Sequence, residues 1–364
     1  MQCSRWAWSS MDEFARRNDD DRLAFINEAA NRRDVAPIVI EKDFWVCWKL
    51  RRLMSVPVLA DNLAFKGGTS LSKAYGIIER FSEDIDLTIG RNAPMIVDTK
   101  PPMEDDISGK ERERRTKALK TAAQGYVQEI ALPALSEAIA EALGTTNGWS
   151  VRIDPEDHDG QTILFEYPKL LDYKFDAWGG AFGNSFGGSW KKDGYIRPRI
   201  KLEFGARGEA EPSELKAITP YLAQEFPQEL RDATVNVATL SVARTFWEKV
   251  TILHALHHGT KLLPEMSRHY YDTMMLAAKG IDDMAMKSQN LLARVVLNKS
   301  LMFADNKASY GTAVIGSLRL TPNDELRERL RKDYAAMAEM FMVAPPSFDD
   351  LMTAIGALEA KLNG

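Results

Sequence analysis

Asp84 and Asp86 stand two residues apart in Asp84-Ile85-Asp86-Leu87-Thr88-Ile89, where polar and apolar side chains alternate. A strand sends residues i and i+2 to the same face, so both carboxylates project together while Ile85, Leu87 and Ile89 line the other side. Oxygen donors in that arrangement suit a hard divalent cation such as Mg2+ or Mn2+. Such ions neutralise phosphate oxygens while a hydroxyl attacks in line, which is what phosphoryl and nucleotidyl transfer require. Upstream, Lys66-Gly67-Gly68-Thr69-Ser70 lies between a strand-like and a helix-like segment. Gly67 and Gly68 let the backbone approach a phosphate closely, and a helix start favours an anion. Thr69 or Ser70 offers a hydroxyl to cap the helix or meet the phosphate, and Lys66 adds positive charge. Neither piece alone is specific; strand, Gly-Gly-hydroxyl turn, helix and Asp-Ile-Asp strand in succession are the signal.

A third carboxylate would complete the arrangement, and Glu203 in Arg199-Ile200-Lys201-Leu202-Glu203-Phe204 is the candidate. There the apolar residues face one way and Arg199, Lys201 and Glu203 the other. Arg199 and Lys201 suit a phosphate contact, with simple charge balance against Glu203 as the alternative. Lys73 also flanks the glycine turn and is weighed between a phosphate contact and a solvated surface lysine.

The elements that must position these groups are legible in outline. Helical spacing runs over 10–33, 39–53 and 69–78, and the highly charged stretch from 101 leads into an amphipathic helix ending near Leu143. Strand patterns cover 63–65, 84–89, 151–153, 162–167 and 199–204. Helical patterns dominate from about Leu240 onward, and no internal repeat is present. The expected fold class is α/β (α+β): a nucleotidyltransferase-type core with a small mixed sheet, followed by a mainly helical C-terminal domain. The division is set at 1–205 and 206–364, with the second unit closing over the cleft.

Composition sets bounds on this reading. The 364 residues are 45% hydrophobic and 27% charged, with a formal net charge of -5. A protein that coats nucleic acid is normally basic, so any nucleic-acid contact must come from local patches. Two cysteines, Cys3 and Cys47, make no disulfide framework, and no apolar run approaches a membrane span. The first residues lack the apolar stretch of a secretory signal, so the expected location is cytoplasmic.

Other clusters have plainer readings. His254, His257 and His258 share one helix, but no cysteine or acidic partner has matching spacing for zinc. The Trp- and Gly-rich segment 178–190 suits either base stacking or a surface insertion. The basic run 110–120 is interleaved with Glu111 and Glu113 and reads chiefly as a solvated helix.

Residues 65–75 followed by Phe81-Ser82-Glu83-Asp84-Ile85-Asp86-Leu87 resemble the first motif of the AbiEii/AbiGii nucleotidyltransferase toxins, within the DNA polymerase β-like nucleotidyltransferase superfamily. Ile40-Glu41-Lys42-Asp43 resembles the family's N-terminal helix signature, and 199–203 its second-motif strand. The runs 242–249, ending in Lys249, and Arg268-His269-Tyr270-Tyr271-Asp272 resemble its last two motifs. His269 stands where the family usually has an acidic residue. The resemblance implies that Gly68 with Ser70 or Thr69 cradles the phosphates of an NTP, and that Asp84 and Asp86 bind the metal. It also implies that Lys249 meets the triphosphate or the leaving pyrophosphate, with Asp272 completing the site. It further implies an RNA acceptor, foremost the tRNA 3′ end, and a separately encoded antitoxin partner. A protein or small-molecule acceptor, or a nucleotide-binding regulator with a degenerate core, remains the alternative.

Overall fold

The computed structural model describes residues 9–82, 84–171, 197–288 and 290–364; Cys3 and the 178–190 segment lie outside the described residues. Seven strands form one mixed sheet: β1 (Leu63–Lys66), β2 (Ile85–Ile89), β3 (Ser150–Ile153), β4 (Thr162–Glu166), β5 (Arg199–Gly205), β6 (Ser213–Ile218) and β7 (Val235–Leu240). Their spatial order is β3-β4-β5-β2-β1-β7-β6. The β2–β5 and β1–β7 pairs are parallel, and the remaining pairs are antiparallel. β2 therefore sits in the interior, with Lys66 of β1 and Glu203 of β5 as the neighbours of Asp86 on either side.

Alternation explains why these residues form a sheet. Ile200, Leu202 and Phe204 are buried, as are Ile85, Leu87 and Ile89, and they join one apolar cluster with the N-terminal helices α1 (Asp19–Arg33) and α2 (Pro37–Ser55). Pro37 opens α2, where its missing N–H costs nothing, and the helix packs on β7. Trp45 stacks on Tyr167 at 5.4 Å and Trp48 on Phe165 at 5.9 Å, so aromatic layers fasten α2 to β4 as well. The helical pattern over 10–33 is broken: a short helix Ser10–Ala15 ends, and Asn18 accepts from Asp21 N at 2.9 Å to cap α1 anew.

Helix α3 (Gly67–Lys73) follows β1 directly but stops earlier than the spacing over 69–78 predicts. Gly76 adopts φ +61°, Ile77 N bonds back to Leu71 O at 2.9 Å, and Ile77 and Ile78 enter a second apolar cluster. Helices α4 (Gly109–Gly125) and α5 (Leu132–Leu143) are joined through a π-helical turn, Tyr126–Ala131, which ends just before Pro133. The second cluster comprises α6 (Val242–His258), α7 (Ser267–Ala278), α8 (Leu291–Met302), α9 (Asp324–Ala336) and α10 (Phe348–Asn363). Ser241 caps α6 by accepting from Arg244 N.

Two features link the halves of the chain. β6 and β7 lie beyond residue 205 yet belong to the sheet, and Ile218, Val235 and Val237 enter the first cluster. In turn, Leu71, Ile77 and Ile78 enter the second, and 79–81 is held to 340–342 by Phe81 N donating to Met340 O (2.6 Å) and Met342 N to Glu79 O (3.1 Å). The chain just before Asp84 is thereby fixed to the helical half. Among the described residues no helix is long and apolar enough to cross a membrane.

Candidate active site

Asp84 immediately precedes β2 and Asp86 lies on it, so the strand begins one residue later than the alternation predicts. The backbone of Asp84 is fixed from below: Thr69 Oγ1 donates to Asp84 O at 2.5 Å and pairs with the Ser82 hydroxyl at 3.0 Å. Ser70 Oγ donates to Gly67 O at 2.8 Å. Both hydroxyl residues are fully buried, so their side chains brace the turn rather than line its surface.

The glycine turn lies against Asp86. Gly67 has φ +78°, and a Cβ there would come within 1.8 Å of Asp86 Oδ2. At Gly68 a Cβ would meet Arg80 Nη2 at 2.6 Å and Ser82 Oγ at 2.7 Å. We expect Gly67→Ala to strain the backbone by roughly 1–3 kcal/mol and to displace Asp86. A misplacement near 1 Å lowers the rate by on the order of 10^2, and steady-state rates beside a thermal melt would separate the two effects.

Lys66, Asp86 and Glu203 lie side by side across β1, β2 and β5. Burial raises the Asp86 carboxyl above its ordinary value; Lys66 draws it down and Asp84 adds to the rise. Burial also raises Asp84, against the pull of Lys42, Lys201 and Arg268. Glu203 reaches solvent on the strand face, yet desolvation by the surrounding protein, then Asp86 and Asp84, raise it to about 7. Asp84 thus raises Asp86, and both raise Glu203, a clustering of negative charge that suits a cation. Among the described residues no group of three or more His, Cys, Asp or Glu is gathered so that it could hold a metal ion by itself. Lys201 pairs with buried Asp154 at 3.4 Å while its charge still acts on Asp84 and Glu203.

The helical half contributes a buried charge hub. Asp272, fully buried on α7, accepts from Arg80 Nε at 2.7 Å, from Arg80 Nη2 at 2.8 Å and from Lys249 Nζ at 2.7 Å. Burial alone would raise Asp272, but Arg80 and Lys249 hold it well below the usual carboxylate range. Burial lowers Lys249 against the opposing pull of Asp272, and its charge reaches Asp86. His269 Nδ1 lies 3.5 Å from Lys249 Nζ, and burial, then Lys249 and Arg268, lower the imidazole well below its ordinary value.

Sequence reasoning missed Arg80, whose type and position carry no motif; its partner is 192 residues away. Arg268, beside Asp272 on α7, bonds Glu265 at 3.2 Å and directs its field at all three carboxylates. Lys73 is no surface lysine: it pairs with Asp43 at 2.6 Å beneath Tyr221. The histidines of α6 are spent on structure, His254 meeting Ser309 O and Arg319 N and His257 meeting Thr321 O.

This sheet, with its glycine turn and carboxylate row, belongs to a nucleotidyltransferase. The model of the nucleotidyl transferase AbiEii toxin family, of type IV toxin–antitoxin systems, matches residues 48–354, and the chain belongs to that family. It is accordingly a nucleotidyltransferase toxin, and membership implies an NTP substrate and an antitoxin partner. Among solved structures it is similar to MenT4, a nucleotidyltransferase toxin from Mycobacterium tuberculosis H37Rv, at 16% identity and a TM-score of 0.43, covering 94% of this chain and 99% of that one. No curated protein matches the chain.

Proposed function

We propose that the toxin transfers a nucleoside monophosphate from an NTP to an RNA hydroxyl, the tRNA 3′ end, releasing pyrophosphate. The observation that carries this reading is the row of Lys66, Asp86 and Glu203 beside the Gly67 turn, with Asp84 at its head. Asp84 and Asp86 would hold Mg2+ or Mn2+. The donor set fits: Mg2+ takes one or two carboxylates and leaves its other positions to water and substrate phosphates, so no closed protein cage is needed. When bound, the ion neutralises charge on the phosphates and lowers the pKa of the attacking hydroxyl.

The remaining roles belong to the chain itself. The Gly67–Gly68 backbone approaches the phosphates, with Thr69 and Ser70 bracing it, and Lys66 and Lys201 add positive charge at its flanks. Lys249, aimed by Asp272, meets the charge that develops on the leaving pyrophosphate. Glu203, across from Asp86 on β5, adds a third negative charge beside the pair that would hold the ion. The helices from Val242 onward, rather than all of 206–364, act as the unit that closes over the sheet, since β6 and β7 belong to the sheet itself, and an NTP and tRNA as substrates suit a cytoplasmic toxin.

Two measurements test this reading. Mg2+ at about 100 times its Kd is expected to stabilise the parent by roughly 2.7 kcal/mol and to leave an Asp84→Asn/Asp86→Asn variant unmoved in a thermal melt. Incubation with total tRNA, Mg2+ and each labelled NTP is expected to label tRNA, and periodate oxidation of the 3′ ribose is expected to abolish the label. Absence of label with all four nucleotides would overturn the RNA acceptor.

A further inference from the structure

Beyond the carboxylate row, the end of β4 and the start of β5 frame a cavity of about 530 Å³ that none of the carboxylates or glycines of the nucleotide site lines. Four cations line it, Arg22, Lys169, Arg197 and Arg199, against two acids, Asp19 and Glu166. Both acids are already engaged. Asp19 accepts from Arg22 Nη2 at 2.7 Å, and Glu166 accepts from Ser150 Oγ and Arg152 Nη2 at 2.9 Å each. Arg22 is 5% exposed, and its Nε has no hydrogen-bond partner among the described residues. Among the described residues the side chains of Lys169, Arg197 and Arg199 form no ion pair, though the charge of Arg199 acts on Glu166. Guanidinium forks and an unsatisfied N–H donor around one recess call for an anion with several oxygens.

Position suggests which anion. Arg199, Lys201 and Glu203 occupy successive positions on one face of β5, so Arg199 lies about 13 Å along the strand from Glu203. Lys201 stands between them on that face, and it and the fully buried Lys42 act on Asp84, Lys42 Nζ donating to Arg197 O at 2.7 Å. The Gly67 turn flanks the aspartates from the β1 side, and the cavity flanks them from the β5 and β4 side. A triphosphate seated at the turn leaves the cavity free, while a strand ending at the aspartates has its backbone phosphates spaced along this line of cations.

We propose that the cavity of Arg22, Lys169, Arg197 and Arg199 is a phosphodiester site for the acceptor strand, a few nucleotides from its reacting end. This rests on the RNA-acceptor reading. Arg197 is exposed and Arg199 half-buried, so Arg197→Gln/Arg199→Gln is suited to the test, with Lys169→Gln as an independent second variant. Binding of fluorescent tRNA is measured across a salt series, beside the KM for NTP. The double variant is expected to bind tRNA about tenfold more weakly, with a log–log salt slope shallower by about 1–2 and the KM for NTP within twofold of the parent. Lys169→Gln is expected to show a smaller change of the same kind.

Parent-like tRNA affinity and salt slope in both variants, while the parent labels tRNA, would overturn this site and leave the RNA reading standing. A raised KM for NTP with tRNA affinity intact would assign the cavity to the nucleotide and overturn the proposal. A parent that neither binds nor labels tRNA would overturn the RNA reading and this site with it.

Discussion

Asp86→Asn is expected to fold as the parent does while losing nucleotidyl transfer by on the order of 10^3 or more, since a carboxylate–metal contact supplies several kcal/mol of charge stabilisation and each 1.36 kcal/mol is tenfold in rate. The change is nearly isosteric, and Asp86 Oδ2 already lies close to Gly67, so the turn keeps its shape. Stability should move the other way. Asp86 is desolvated beside Asp84 and raises Glu203, so removing its charge relieves repulsion and should stabilise by up to about 1 kcal/mol. Rate assays with urea melts check both halves; a parent-like rate would remove Asp86 from the chemistry, and a large loss of stability would make it a structural residue.

Asp272→Asn carries the largest expected effect on stability. Asp272 is fully buried and holds two cations, Arg80 and Lys249, which would be left without their counter-charge. Removing one partner of a buried ion pair typically costs roughly 3–5 kcal/mol. Arg80 also lies in the segment clamped to 340–342, so the loss should propagate to the backbone leading into Asp84. Lys249→Met provides the contrast, because it leaves the bidentate Arg80–Asp272 pair in place. We expect it to lower the rate by about 10^2–10^3 with a much smaller change in melting.

The pH dependence follows from the depressed Asp272 carboxyl. Its folded value lies below its unfolded value, so its contribution is fully present above the ordinary carboxylate pKa of about 3.9 and disappears as pH falls through the folded value. The stability gap between parent and Asp272→Asn should therefore be constant near neutrality and shrink in acid. A gap that widened in acid would contradict this account of the hub.

Much of the carboxylate site was legible because its determinants are local. Asp84 and Asp86 are two apart on an alternating segment, and Gly67 lies at the end of the preceding strand. What was not legible depends on pairing across the chain. The neighbours of Asp86 follow from the register of β1 and β5, which no spacing in the sequence encodes. Arg80 meets Asp272 across 192 residues, from segments that both pack on the second apolar cluster. Thr69 and Ser70 look alike whether a hydroxyl points outward to a phosphate or inward to Asp84 O and Gly67 O, and packing decides for inward. The edge strand β6 exposes Leu215 at 75%, and this broken pattern hid it, whereas β7 alternates cleanly as Val235, Val237 and Thr239 and was missed although its signal is present.

The central claim is that the Asp84–Asp86 row directs attack at the α-phosphate of an NTP. The direct measurement is a pair of reactions with tRNA and Mg2+, one with NTP labelled at the α-phosphate and one at the γ-phosphate. The account predicts α-label at the tRNA 3′ end, γ-label only in released pyrophosphate, and neither product from Asp86→Asn. Label from the γ-phosphate on tRNA, or α-label on tRNA from Asp86→Asn at the parent's rate, would contradict it.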